Sequence, residues 1–171
     1  MTGHGTGAFD EGRGAAFAKG HGTGNDFVLI ADAEGAEPLT AERVRTLADR
    51  RFGIGGDGVI RAVPAGATGD AVLDALPAGT WAMDYWNADG TLSEMCGNGV
   101  RVFVHFLLQA ELARLAIGEG IDIATRLIPA RVAMSMPSPS ASWASCDSRR
   151  KRTKTRTPLP HISLTVPSAF Q

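Results

Sequence analysis

From Val100 to Leu108 the apolar residues Val100, Val102, Phe103, Val104, Phe106, Leu107 and Leu108 point in nearly every direction around a 3.6-residue period. A helix with that pattern predicts an element enclosed by other structure rather than one lying on a surface. The run is broken by Arg101 and His105 and falls far short of the roughly 20 residues a bilayer span needs. Upstream the patterns are shorter. Phe27 to Ile30 is a compact apolar run after Gly24 and Asn25, which reads as a turn feeding the first strand. Thr40 is a good N-cap, with Leu39 and Val44 placed for a hydrophobic staple. Val44, Leu47, Ala48 and Phe52 then share one helical face before Gly53. "GIGGDGVIRAV" packs four glycines around Asp57 ahead of a strand from Val59. Trp81 to Trp86 makes another strand, reversing at "NADG". The expected fold class is α+β, with strands wrapped around the central helix that follows Cys96.

Past Arg126 the periodicity stops, and composition changes with it. All 21 glycines lie at or before Gly120, whereas 6 of the 9 prolines and 8 of the 9 serines lie after Arg126. Residues 1–126 hold 10 Lys+Arg against 17 Asp+Glu, a balance of -7, and residues 127–171 hold 7 against 1, a balance of +6. A segment so poor in apolar groups offers little burial to offset its ordering entropy, so 127–171 is expected to be a disordered tail. An out-of-frame translation or a fused gene product after Arg126 would produce such a break. Within the tail, "RRKRTKTR" from Arg149 to Arg156 could bind polyanions, although a charge run is more often solvated chain. At the other end "GHGTG" occurs twice, at Gly3–Gly7 and Gly20–Gly24, and only the second copy leads into "NDFVLI". Residues 1–16 are therefore expected to be a flexible leader, and 17–126 the folded lobe. The overall net charge of -1 gives no reason to expect nucleic acid or an anionic membrane as partner of the whole chain.

Two cysteines, Cys96 and Cys146, are too few for a disulfide framework. With no secretory signal pattern, a reduced cytoplasmic protein is the expectation. Cys96 stands in "CGNG" at the mouth of the apolar helix. There unpaired backbone N–H groups and the positive end of the helix dipole would hold a carboxylate, with Gly97 and Gly99 letting a ligand approach closely. The same field favours a thiolate, which makes Cys96 a candidate for proton abstraction. Against this, free cysteine commonly just packs. The asparagines could be turn residues, Asp57 a turn stabiliser, His21 a hydrogen-bonded loop residue and His105 a core-edge residue.

"FAKGHGTGNDFVLI" (Phe17–Ile30), "RFGIGGDGV" (Arg51–Val59) and "WNADGTLSEMCGNGVRVF" (Trp86–Phe103) together resemble the N-terminal half of diaminopimelate epimerase, a pyridoxal-independent amino-acid epimerase. The likeness runs from about Phe17 to Arg126. It implies a β-barrel-like sheet around a central helix, one of two pseudo-symmetric lobes that enclose the substrate. It also implies an isomerase that needs no cofactor or metal, acts on a small amino acid and forms a homodimer. By the family pattern Cys96 is one of two cysteines on opposite sides of the substrate Cα. Asn25 and Asn87 hydrogen-bond the substrate, and Gly97 and Asn98 offer backbone donors to a carboxylate. The family often has glutamine where Gly58 stands here, which puts a side-chain contact from that loop in doubt. Cys146, in "SWASCDSRR", lacks the glycine-rich turn and apolar helix and is not the partner thiol. Proline racemase-like and phenazine-biosynthesis isomerase-like proteins lack the combination of "GHGTGNDF" and "NADG". The alternative from another class is a non-catalytic fragment whose basic tail binds polyanions.

Overall fold

A strand buried on both faces explains why Phe27–Ile30 reads as an unbroken apolar run. The computed structural model describes residues 17–127, 129–135 and 161–165. It places the run in β2 (Asn25–Ala31), which lies between β1 (Phe17–Gly22) and β3 (Gly58–Pro64). The sheet continues through β4 (Trp81–Asn87), β5 (Gly120–Ala124), β6 (Ala130–Ser135) and β7 (His161–Thr165), so spatial order follows chain order. Strands β2 and β3 are parallel, as are β4 and β5, and the other neighbours are antiparallel. The two parallel steps need crossovers. Helix α1 (Ala41–Ala48) supplies the first and α3 (Gly97–Gln109) the second, while α2 (Ala71–Asp74) is a single turn between β3 and β4.

Alternation along the strands divides the core. Phe27, Leu29, Ile60, Ala62, Met83 and Tyr85 face α3 and meet Val100, Phe103, Val104 and Leu107. On the other face Val28, Ile30 and Val59 pack with Leu39, Val44 and Ala48 around α1. Helix α3 lies against β1, β2 and β3 and also against β6 and β7. Both edges of the sheet therefore reach the same helix, which is the curled, barrel-like wrap that the helix pattern required.

The N-cap of α1 is Thr40, whose Oγ1 accepts from the Arg43 N–H at 3.2 Å. Leu39 and Val44 are buried in one cluster, as a staple demands. Phe52 does not share their face. The helix stops at Asp49, whose carboxylate accepts from the Arg51 and Phe52 N–H groups, and Phe52 is left 93% exposed. The first strand is β1 rather than β2, so His21 belongs to a strand and not to a loop. Sequence hid β1 because its inward residues are Ala18, Gly20 and Gly22. A Cβ at Gly20 would come within 3.0 Å of Val102, and at Gly22 within 2.9 Å. Only glycine lets the edge strand approach α3 so closely.

Strands β6 and β7 fall inside 127–171, the segment expected from sequence to be largely disordered. Ala130 and Val132 alternate into the core beside Ile123, a short period-2 signal easily lost in a proline- and serine-rich context. The leader 1–16, the run Arg149–Arg156 and Cys146 lie outside the described residues. Among those described, no helix is long and apolar enough to cross a membrane.

Candidate active site

One end of the sheet collects the residues singled out in the sequence. Gly22 pairs with Asn25 at the β1–β2 hairpin, Phe27 pairs with Gly58, and Gly58 with Asn87. The N-terminus of α3 emerges there too, since a Cβ on Gly22 would sit 3.1 Å from the Asn98 carbonyl oxygen. Asn25, Asn87, Cys96, Gly97 and Asn98 thus share this end.

Cys96 is the N-cap of α3. Its backbone is extended, with φ -137° and ψ 114°, its carbonyl accepts from Val100, and the Gly99 N–H donates to Sγ at 3.3 Å. The thiol is half-buried and free. Gly99 serves the cysteine rather than a ligand. It is buried, and a Cβ there would lie 3.2 Å from the Cys96 Cβ and 3.1 Å from the Met83 methyl. Asn87 opens the "NADG" reversal, where Gly90 has φ 83° and the Asn87 Nδ2 donates to Thr91 Oγ1 at 3.0 Å. Its amide nitrogen is engaged by the turn and its side-chain oxygen is free of that bond. Asn25 is exposed at the start of β2.

Asp57 joins the strands that carry the two asparagines. Its N–H donates to the Asp26 carbonyl at 2.8 Å, its carbonyl accepts from Ala88 at 3.1 Å, and its carboxylate accepts from the Asp26 N–H at 3.1 Å. Arg50 completes the clamp, donating to the Asp26 carboxylate at 2.6 Å and to Asp57 at 2.8 Å. Lys19 stands 3.2 Å from Asp26. Sequence reading missed Arg50, because nothing local links it to partners 24 and 7 residues away. Its guanidinium holds the Asp26 carboxyl well below the usual carboxylate range; partial burial opposes this and Lys19 assists. A carboxyl whose folded value is depressed stabilises the fold above its unfolded value of about 4, and that contribution disappears as pH falls through the folded value. Asp49, Asp74 and Asp89 are depressed in the same sense. The urea midpoint of the chain should therefore hold between pH 7 and 5 and drop below pH ~4. An unchanged midpoint at pH 3 would contradict the clamp.

Tyr85 is the second residue that sequence did not flag. Its ring stands edge-on to Phe27 at 5.8 Å and is largely buried. Burial pushes its hydroxyl above the ordinary value, with Cys96 and then Asp57 adding to the effect. Gly58 makes room for it. A Cβ at 58 would fall 2.5 Å from the Trp86 carbonyl oxygen and 2.6 Å from Tyr85 Cε2. Gly58→Ala should accordingly destabilise the chain by about 1–3 kcal/mol through overpacking. A thermal melt matching the parent would show that the ring yields freely.

Two of the cavities among the described residues border β1. One of about 560 Å³ is lined by Lys19, Gly20, His21, Gly24, Asp26, Arg50 and Asp57. Another, of about 210 Å³, runs between β1 and the exposed Arg101, His105 and Gln109 of α3. Neither of these is lined by Cys96, which packs partly buried against the core cluster around α3. Among the described residues no cluster of His, Cys, Asp and Glu could hold a metal ion.

The sequence model of one family, described as diaminopimelate epimerase, matches residues 17–118. The chain belongs to the diaminopimelate epimerase family. Enzymes named diaminopimelate epimerase from Mycobacterium tuberculosis and Mycobacterium bovis are each 58% identical over 96 residues, which is 53% of this chain and 33% of theirs. That of Corynebacterium glutamicum is 49% identical over 110 residues, covering 64% of this chain and 38% of its own. The chain thus spans about a third of the length of the curated relatives it matches. A phenazine biosynthesis protein of the PhzF family from Bacillus anthracis aligns in three dimensions with a TM-score of 0.46 and 18% identity, over 72% of this chain and 35% of its own. That likeness is too loose to carry an argument. The diaminopimelate epimerase match takes in all three motifs and ends before β5.

Proposed function

We propose that this chain is one lobe of a diaminopimelate epimerase, with Cys96 as one of two thiols that exchange a proton at the substrate Cα and so interconvert LL- and meso-2,6-diaminopimelate. The observation that carries the reading is the Gly99 N–H aimed at Sγ from 3.3 Å at the start of α3. An amino-acid Cα–H is a very weak acid, and without an electron sink the developing charge must be met by fixed donors. The N–H groups of the first turn of α3, beginning at Gly97 and Asn98, would receive the substrate carboxylate. Asn25 and Asn87 flank that position from β2 and β4 and would orient the remainder of the molecule. Inversion needs a second acid or base on the opposite face, contributed by a second lobe that closes the open side. A non-catalytic polyanion-binding fragment is the competing reading, and it predicts no dependence on Cys96.

Substrate protection tests the assignment. In the folded chain the half-buried Cys96 thiol should be open to labelling by iodoacetamide. Diaminopimelate should slow that labelling more than lysine does at equal concentration. Labelling that ignores both amino acids would count against Cys96 facing the substrate.

A further inference from the structure

Cys96 is reached through a stretch that makes few bonds of its own. After the "NADG" turn the chain runs back along β4, where Leu92 bridges Trp86 and the Ser93 N–H donates to the Tyr85 carbonyl at 3.1 Å. Glu94 and Met95 then cross to the thiol. At the last paired point a guanidinium arrives from outside the family match. Arg126, just past β5, donates through one nitrogen to the Tyr85 carbonyl at 2.9 Å and the Ser93 carbonyl at 3.4 Å. Its other nitrogens hold Asp84 at 2.5 Å and Asp70 at 2.6 Å, and its Cζ lies 6.0 Å from the centroid of the Trp86 ring. The side chain is only 9% exposed. A solvated surface arginine would not be pinned by two carboxylates, two carbonyls and an indole at once.

The geometry points to Arg126 as a positioning residue that locks the Ser93–Cys96 approach to β4 and thereby fixes where the thiol stands at the head of α3. This deepens the epimerase reading and rests on it only for the importance of the thiol. The clamp itself is a property of the fold. Lysine cannot replace the arginine, because one ammonium cannot serve both carboxylates and fork to two carbonyls.

Amide hydrogen exchange on the full chain tests it. In Arg126→Ala, and in Arg126→Lys, which keeps a positive charge at the position but loses the fork, the Ser93 and Gly99 amides should exchange about tenfold faster or more, the scale of one lost charged hydrogen bond. The Val28 and Ile60 amides in the central strands should keep the parent rates in Arg126→Lys, which a general loss of stability would not allow. A uniform rise across all these amides in Arg126→Lys, or unchanged exchange at Ser93 and Gly99, would overturn the proposal. Iodoacetamide labelling of Cys96 should follow the local amides. If exchange behaves as expected but diaminopimelate never alters labelling in the parent chain, the clamp stands and the substrate assignment falls.

Discussion

A hybrid carrying residues 17–126 ahead of the remainder of the Mycobacterium tuberculosis relative should interconvert LL- and meso-diaminopimelate. Cys96→Ala in that hybrid should lower kcat by about 10³-fold or more, within the range expected for a lost acid–base group. The loss should fall on kcat rather than KM if, as proposed, the carboxylate is held by backbone donors that the substitution leaves in place. The 171-residue polypeptide alone should behave differently. In D₂O it should give at most slow deuterium uptake at Cα without inversion, since only one face of the substrate meets a thiol and water reaches the other. Chiral analysis of the product separates the two outcomes. Inversion by the polypeptide alone, removed by Cys146→Ala, would make the distal cysteine the second base and reverse the assignment given to it from sequence.

The largest stability effect belongs to Asp84. One of its oxygens accepts from Trp86 Nε1 at 2.8 Å and from Arg126, and the other accepts from Arg61 at 2.9 Å. Arg61 is 2% exposed and is also held by Asp32 at 3.2 Å and the Thr68 carbonyl at 2.8 Å. Removing one carboxylate leaves two enclosed guanidinium groups short of a partner. Asp84→Ala should therefore cost about 3–5 kcal/mol in urea unfolding. The exposed pair Asp122–Arg131, at 2.9 Å, provides the contrast, and Asp122→Ala should change stability by less than about 1 kcal/mol. Equal effects at the two positions would refute the view that burial makes the difference.

Some of this was legible in the sequence and some was not, for physical reasons. Helix α3 was legible because an all-round apolar pattern leaves one solution, a helix surrounded by strands. Thr40 and the "NADG" turn were legible because capping and reversal chemistry act within a few residues. Strand β1 was invisible because its packing depends on the absence of side chains at Gly20 and Gly22, and absence has no hydrophobic signature. Strands β6 and β7 were masked by the proline and serine around them. The site itself was half legible. Cys96 and the asparagines sit in recognisable motifs, whereas Arg50, Tyr85 and Arg126 act on partners far away in sequence, and only the folded register brings them together. Gly99 shows the opposite failure. Its glycine suggested access for a ligand, and the space is taken up by the cysteine and a methionine.

The junction between β4 and β5 has a consequence for how the lobe opens. That parallel pair is short, with Trp81 matched to Ile123 and Ala82 to Ala124, whereas β3 and β4 are matched along seven residue pairs from Gly58–Asn87 to Pro64–Trp81. Cooperative units separate where the ladder is shortest. The sheet therefore divides into a body, β1 to β4 with α1, and a leaf, β5 to β7, which hangs on two residue pairs, its packing on α3 and the Arg126 side chain. Opening of the leaf with the body intact is the expected low-cost fluctuation, and it would uncover the flank of α3.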